Sequence, residues 1–194
     1  MSAVAKPAAH ARTICVFLDR DGTLIRHIPY LCDPRRVELL PTVVPGLTQL
    51  AAAGCKLFLH TNQSGIGRGY FSLEQALACN EEMMQQIGLG PDLFADVCVC
   101  PEVPDEPARY RKPSPSYGRE IIERYATTAS CAYYLGDNLS DLLTARNLGC
   151  TGVGVNTGIE DLQLLLRDAG LQNEFAVFNT FIEAATHIVA RSRA

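Results

Sequence analysis

The chain has 194 residues, of which 47% are hydrophobic, and a formal net charge of −4. This length allows a substantial core, and a modest negative charge without a long Lys/Arg run argues against a nucleic-acid partner. No stretch is apolar for long enough to cross a bilayer, and the eight cysteines are scattered, which predicts no membrane partner, reduced thiols and a cytoplasmic location.

Apolar runs alternate with helix-like stretches along the chain, which predicts an α/β fold. We expect a three-layer α/β/α sandwich with a mainly parallel, Rossmann-like sheet, formed by residues 13–194 as a single domain after a mobile tail over 1–12. The segment 22–44 is too short for a large cap domain. Predicted strands include 14–18 and 151–155, and predicted helices include 44–53, 73–87, 116–125, 139–148 and 181–191.

The first predicted strand ends in two aspartates. Asp19 and Asp21 follow the apolar run and precede a turn at Gly22. We therefore expect them at the carboxyl end of a parallel strand, where open α/β sheets bind ligands. Together they could hold Mg²⁺, and the glycine turn lets Asp21 act partly through its carbonyl. The alternative is that both aspartates simply begin a turn.

A second apolar run, 57–59, also ends in polar residues. Hydroxyl, amide and glycine backbone N–H groups can direct donors at phosphate oxygens without adding a competing anion. A helix cap followed by a loop would explain the same residues. The candidate ligand contacts are Thr61, Asn62, Gln63 and Ser64.

The third motif is a pair of basic residues before a proline. Arg111 and Lys112 precede Pro113 and the predicted helix 116–125, and their charges could balance those of a phosphate. Taken alone, an exposed basic pair is usually solvated surface of small energetic value. Its place in the order of the motifs makes it a site candidate.

The fourth motif follows an apolar run that ends at Gly136. Asp137 could complete a metal site, and Asp141, one turn along the next helix, could cap that helix or orient the metal ligands. A surface N-cap would explain Asp137 alone, but not its repetition of the Asp19 context.

The order of these motifs resembles that of the haloacid dehalogenase (HAD) phosphatase superfamily. The residues at 19–23, 61–69 and 111–113 are similar to those of its heptose-bisphosphate and histidinol-phosphate phosphatase branch, and the resemblance covers 13–158.

This resemblance implies a role for each matched residue. Asp19 would attack phosphorus, and Asp21 would act as acid and then as base. Thr61 and Lys112 would hold the phosphoryl oxygens. Asp19, the carbonyl of Asp21 and Asp137 would bind Mg²⁺.

The resemblance also points to substrate contacts. In this branch, residues after the first motif and the Arg before the motif Lys help to recognise the organic part of the substrate. These places hold His27, Tyr30 and Arg111. Arg111 could bind a second phosphate or sugar hydroxyls in a bidentate manner, whereas His27 could also be ordinary loop surface.

Two departures from the branch limit the comparison. Many members have a zinc loop, Cys-x-His and Cys-x-Cys, before Arg-Lys-Pro, but here the matching stretches are 100–102 (Cys-Pro-Glu) and 108–110 (Ala-Arg-Tyr). Three of the four ligands are missing, so structural zinc is not expected. Asn138 stands where many relatives carry Lys or Arg, so the exact substrate cannot be carried over.

Two classes of function remain. The first is a Mg²⁺-dependent phosphomonoesterase of a small phosphorylated metabolite, acting through a phosphoaspartyl intermediate. We expect it to remove the 7-phosphate of D-glycero-D-manno-heptose 1,7-bisphosphate, with histidinol phosphate or another small sugar phosphate as the alternative, and to act as a monomer. The second is a non-catalytic phosphoacceptor switch; Asp21 argues against it, because an acid/base beside the acceptor promotes phosphate release.

Overall fold

Six parallel strands form the centre of the protein. The computed structural model describes residues 13–104 and 107–192, so the predicted tail over 1–12 lies outside the described residues. The strand order is β3-β2-β1-β4-β5-β6, which confirms the predicted parallel, Rossmann-like sheet. The strands are β1 (Cys15–Leu18), β2 (Lys56–Asn62), β3 (Phe94–Cys100), β4 (Ala132–Gly136), β5 (Thr151–Val155) and β6 (Ala176–Phe178).

Helices cover both faces of this sheet, as the three-layer prediction required. The five helices named from the sequence are present, with ends that differ by no more than one residue from the prediction. The short α2 and the edge strand β6 had no prediction. The helices are α1 (Val43–Ala52), α2 (Ser64–Gly67), α3 (Leu73–Ile87), α4 (Ser116–Arg124), α5 (Leu139–Leu148), α6 (Leu162–Asp168) and α7 (Phe181–Ser192).

The alternation of side chains along β1 divides the core into two halves. Val16 and Leu18 pack in the cluster that includes α1, α3 and α7, whereas Phe17 faces the cluster beneath α4. Phe17 stacks against Phe58 at 5.2 Å and Tyr134 at 4.5 Å between ring centroids. Burying each aromatic ring contributes roughly 1.5–3 kcal/mol, which anchors β1 between its neighbours.

Strand register sets the level at which the polar residues emerge. Leu18 of β1 pairs with Leu59 of β2 and with Leu135 of β4. The backbone N–H of Asp19 continues this ladder by donating to the Leu135 carbonyl at 3.0 Å. Since the strands are parallel, Asp19 and Asp137 leave the sheet at the same edge.

The chain between β1 and α1 stays small. It forms isolated bridges from Ile25 to Asp21 and to Leu39, and a 3₁₀ turn at Pro34–Arg36. The described residues therefore hold a short loop here and no large cap domain, as expected. Their helices include none that is both long and apolar enough to cross a membrane. All eight cysteines are free thiols.

Candidate active site

Three aspartates meet at the carboxyl edge of the sheet. Asp19 follows β1, Asp137 follows β4, and Asp141 lies in the first turn of α5; all three are buried. Their ligand atoms lie within 4.8 Å of one another. The structure thus brings together Asp19 and Asp137 as the sequence predicted, and adds Asp141 to the same cluster.

Lys112 lies between two of these carboxylates. Its Nζ is 2.5 Å from Asp19 Oδ1 and 2.5 Å from Asp141 Oδ1, and its side chain is 3% exposed. Asn62, at the end of β2, fixes the Lys112 backbone from both sides: its Oδ1 accepts from the Lys112 N–H at 3.0 Å and its Nδ2 donates to the Lys112 carbonyl at 3.2 Å. The loop before α4 is therefore tied to β2 at its basic residue.

The single positive charge of Lys112 does not balance the carboxylates of the cluster. Burial raises the pKa of Asp19 to about 7, since the lowering effect of Lys112 is offset by Asp141 and Asp21. Burial, Asp19 and Asp141 raise the pKa of Asp137 to about 8. Burial opposes the charge on Lys112, but Asp141 and Asp19 raise its pKa above the ordinary value. One ammonium group among these carboxylates leaves room for a further cation.

Residues that are distant in the sequence pack closely around the Asp137 carboxylate. Thr23 Oγ1 donates to Asp137 Oδ1 at 3.1 Å. A Cβ added at Gly22 or Gly158 would come within 2.2 and 2.1 Å of Asp137 Oδ2, so both positions require glycine. Thr157 Oγ1 in turn donates to the Gly22 carbonyl at 2.6 Å. Sequence reasoning missed Thr157 and Gly158, because they follow β5 and carry no motif of their own.

Asp141 takes part in the cap of α5, which is one of the two roles suggested for it; its role in orienting metal ligands stays a prediction. Its Oδ2 accepts from the backbone N–H of Asn138 at 3.1 Å, while Asn138 Oδ1 accepts from Ser140 N–H at 3.0 Å, forming a capping box at the start of α5. Its Oδ1 orients Lys112. The asparagine that departs from the family pattern is thus a helix cap here.

Asp21 stands apart from the carboxylate cluster. Its Oδ2 accepts from Arg20 Nε at 3.0 Å and from Gln63 Nε2 at 2.8 Å. Its Oδ1 is buried without a hydrogen-bond partner among the described residues. Arg20 is fully buried and also donates to Asn80 Oδ1 at 2.9 Å. Arg20 and Asn80 had no predicted role, although a buried arginine is rare without such partners.

The residues after β2 support the site from within. Gln63 Nε2 also donates to Thr61 Oγ1 at 2.7 Å, so the hydroxyl hydrogen of Thr61 is left to donate elsewhere. Gln63 and Asn62 therefore use their side chains on protein groups, whereas the sequence suggested ligand contacts for them. Ser64 lies in the first turn of α2, at the edge of a cavity.

Two adjoining cavities open above these residues and share Asp21, His27 and Asn62. The first, about 250 Å³, is bordered by the carboxylate cluster, Lys112 and Arg111. The second, about 300 Å³, is less charged; its lining includes His27, Tyr30, Gln63, Ser64 and Phe71.

An aromatic pair stands at the mouth of the second cavity. Tyr30 is 51% exposed and packs edge-on against Tyr70, with ring centroids 4.8 Å apart. Tyr30 also has a positive φ of 53°, which is unusual for a residue with a side chain. Tyr70 was not predicted, since it lies outside the motifs.

Comparisons with known proteins agree with this arrangement. A HAD-hydrolase-like family model matches residues 109–184. The D-glycero-β-D-manno-heptose-1,7-bisphosphate 7-phosphatase of Pseudomonas aeruginosa is 31% identical over 144 residues, covering 74% of this chain and 81% of the relative. The chain therefore belongs to the HAD-like hydrolases, and it is a phosphatase of that family.

Two further matches concern the branch within the family. The crystal structure of D,D-heptose 1,7-bisphosphate phosphatase from Bordetella bronchiseptica, complexed with magnesium and phosphate, superposes with a TM-score of 0.82 at 27% identity, covering 92% of this chain and 99% of that one. The histidine biosynthesis bifunctional protein HisB of Legionella pneumophila is 30% identical over 136 residues, covering 69% of this chain and 39% of the relative. Both enzymes of the branch predicted from the sequence are thus similar to this chain.

Proposed function

We propose that the protein is a Mg²⁺-dependent phosphomonoesterase that removes the 7-phosphate of D-glycero-D-manno-heptose 1,7-bisphosphate through a phosphoaspartyl intermediate. The observation that carries the proposal is the placement of Lys112 Nζ 2.5 Å from Asp19, in a buried carboxylate cluster at the carboxyl edge of the sheet. This edge is where open α/β sheets bind ligands.

Asp19 is the nucleophile in this proposal. Lys112 holds its Oδ1, which leaves Oδ2 to attack phosphorus as the bond to the leaving oxygen breaks. The resulting acyl phosphate is hydrolysed when water attacks phosphorus, releasing inorganic phosphate and restoring the carboxylate. Lys112 and the free hydrogen of Thr61 stabilise the charge on the phosphoryl oxygens during both transfers.

Asp21 is the general acid and base in this proposal. Its carboxyl group gives a proton to the leaving group and then takes one from the attacking water, while Arg20 and Gln63 hold its Oδ2. Because Gln63 contacts both Asp21 and Thr61, one amide aligns the acid with the phosphoryl-binding hydroxyl.

The carboxylate cluster fits a hard divalent cation. Asp19 and Asp137 offer oxygen ligands, their pKa values are raised by burial and by the neighbouring carboxylates, and the carbonyl of Asp21 is the third protein ligand in the proposal. When bound, Mg²⁺ would neutralise charge on the transferring phosphoryl group. The magnesium and phosphate in the structure of the Bordetella relative support this assignment.

The second cavity suits the organic part of the substrate. It adjoins the carboxylate cavity at Asp21, so a phosphate beside Asp19 would place its leaving group there. Arg111 at the border of the first cavity could bind a second phosphate or sugar hydroxyls in the fork geometry of its guanidinium. His27, Tyr30 and Ser64 are the other proposed substrate contacts.

Phosphate release from a panel of substrates tests the proposal. We expect Mg²⁺-dependent turnover that is abolished by EDTA, with the highest kcat/KM for one of the two anomers of the heptose bisphosphate, and much lower values for histidinol phosphate and simple sugar monophosphates. The matched control is Asp19→Asn, which keeps the side-chain volume and should be inactive on every substrate.

Histidinol phosphate is the second candidate, because HisB is 30% identical to this chain over 136 residues. A higher kcat/KM for histidinol phosphate than for either bisphosphate would establish that alternative. A long-lived phosphorylated chain without turnover would instead indicate a phosphoacceptor switch.

Other features of the proposal follow from the same site. We expect the protein to act as a monomer. We keep residues 13–194 as one domain and the cytoplasm as the location, consistent with the free thiols. We expect no structural zinc, because three of the four ligands of the relatives' zinc loop are missing here; one tightly held zinc per chain in metal analysis would contradict this.

A further inference from the structure

The segment that carries Arg111 is held by one carboxylate. Glu102 accepts hydrogen bonds from three consecutive backbone N–H groups: Arg109 at 2.9 Å, Tyr110 at 3.0 Å and Arg111 at 2.7 Å. Cys100 Sγ adds a contact to the same carboxylate at 3.3 Å. Successive N–H groups that converge on one anion form a nest, and such charge-assisted hydrogen bonds are strong.

Glu102 also holds the Arg111 side chain. Its backbone carbonyl accepts from Arg111 Nη1 at 3.1 Å, so one residue fixes both the main chain and the guanidinium of Arg111. Only one of the five guanidinium N–H donors makes this contact, which leaves others to face the cavity that Arg111 borders.

Lys112, the next residue, has separate anchors. Asn62 binds its backbone N–H and carbonyl, and Asp19 and Asp141 bind its Nζ. The loss of the Glu102 carboxylate should therefore displace Arg111 and leave Lys112 in place.

The carbonyl groups of the segment have other partners: Ser114 Oγ donates to the Arg109 carbonyl at 2.6 Å, and Ser114 N–H donates to the Arg111 carbonyl at 2.8 Å. His60 Nε2 donates to the Tyr110 carbonyl at 2.9 Å, which leaves Nδ1 to accept from Tyr134 Oη at 3.0 Å. These contacts fix the carbonyl groups and none of the three N–H groups, so Glu102 has no substitute for them in the described residues.

We propose that Glu102 is a positioning residue that holds Arg111 at the cavity so that the enzyme selects substrates with a second anionic group. The inference rests on the proposed phosphatase function and deepens it: Lys112 serves any phosphate ester, whereas Arg111, placed by Glu102, distinguishes a bisphosphate from a monophosphate.

Glu102→Gln is the main test. The amide replaces one acceptor oxygen by a donor that faces the N–H groups, so KM for the heptose bisphosphate should rise about tenfold while kcat changes little. Hydrolysis of a sugar monophosphate should keep its kcat/KM within twofold. An equal fall in kcat/KM for both substrates would overturn the proposal.

Glu120→Gln is the matched control. Glu120 binds the Arg109 guanidinium at 2.7 Å and the Tyr110 hydroxyl, so it contacts the same segment without touching Arg111. This variant should retain the KM of the wild type for both substrates. A tenfold rise in its bisphosphate KM would show that any disturbance of the segment suffices, and would remove the special role of Glu102.

Arg111→Ala and the double variant show whether Glu102 acts through Arg111. Arg111→Ala should raise the bisphosphate KM by at least as much as Glu102→Gln, and adding Glu102→Gln should then cause no further rise. If the double variant raised the bisphosphate KM by the product of the two single-variant factors, the proposal would be contradicted. Should Glu102→Gln fail to fold, Glu102→Asp, which keeps the charge but shortens the reach, should give an intermediate KM.

Amide hydrogen exchange separates this inference from the proposed function. In Glu102→Gln, exchange should accelerate at residues 109–111 and stay unchanged at Lys112. A wild-type protein inactive on every substrate would refute the proposed function, but the exchange pattern would still decide whether Glu102 holds the segment. Unchanged exchange at 109–111 would refute the positioning role.

Discussion

The buried carboxylate cluster and the entrance to the second cavity differ in how firmly they are held. Asp19, Lys112 and Asp137 are each at most 8% exposed, whereas Tyr30 and Tyr70 are 51% and 60% exposed. Asp19 and Asp137 follow strand ends, and Lys112 lies on a loop that Asn62 ties to the end of β2. The entrance residues lie on loops, and their rings contact each other. In the proposed function, the edge of the sheet carries the chemistry and the loops carry substrate choice.

The largest effect is expected in the buried region. Asp19→Asn should lower turnover by about 10⁴- to 10⁶-fold, since the amide cannot form the covalent intermediate. The variant should remain folded, and phosphate release under saturating substrate is the measurement. Full activity in Asp19→Asn would invalidate the nucleophile assignment.

Asp21→Asn should have a smaller effect that depends on the leaving group. Loss of the positioned acid should reduce turnover of a poor leaving group, such as a sugar hydroxyl, by about 10²- to 10⁴-fold. An activated aryl phosphate needs little protonation and should lose much less. Equal losses for both substrates would contradict the acid role of Asp21.

Gly158→Ala tests how tightly Asp137 is seated. The new Cβ would lie 2.1 Å from Asp137 Oδ2, so the carboxylate must move. We expect a loss of about 1–3 kcal/mol in the free energy of unfolding, together with weaker Mg²⁺ binding in a titration. Wild-type Mg²⁺ affinity in this variant would show that Asp137 is not a metal ligand.

The pH dependence of the stabilisation of the protein by Mg²⁺ tests whether a cation balances the buried carboxylates. Without a cation, the pKa values of Asp19 and Asp137 are raised to about 7 and about 8 from the ordinary 3.8. A raised acid pKa gives stability that is present below the unfolded pKa and lost as pH rises through the folded pKa.

Melting curves should show this directly. Metal-free protein should lose stability as pH rises from about 4, the ordinary pKa of an aspartate, to about 8, the raised pKa of Asp137, and the rise in Tm caused by Mg²⁺ should grow over the same interval, because the cation replaces the protons. Asp137→Asn is the control, and its Tm should respond less to Mg²⁺. A Mg²⁺ effect that shrinks with rising pH would contradict the assignment.

The smallest effect is expected at the entrance. Tyr30→Ala should raise KM for the preferred substrate about three- to tenfold, as expected for one lost aromatic contact, with kcat unchanged. Tyr30→Phe keeps the ring and should behave like the wild type. A fall in kcat for Tyr30→Ala would show that this residue affects the chemical step, and would contradict the difference proposed between the two regions.

The sequence predicted the long elements well and the short ones poorly. The five named helices and the first strand are periodic or apolar over enough residues to be recognised. β6, Ala176–Phe178, has three half-buried residues at the sheet edge, and α2, Ser64–Gly67, is a single turn. Such short elements depend on their neighbours, because they have no pattern of their own.

By itself the sequence determined the fold class, the family and the candidate site residues at the strand ends, because apolar runs that lead into Asp19, Thr61 and Asp137 are local patterns. Only the tertiary structure decided how these groups are supported. The Asn62 contacts to Lys112 and the close packing of Gly22 and Gly158 on Asp137 join residues far apart in the chain, and the Glu102 contacts to 109–111 close a loop. Such contacts arise from strand register and loop packing, which no local periodicity encodes.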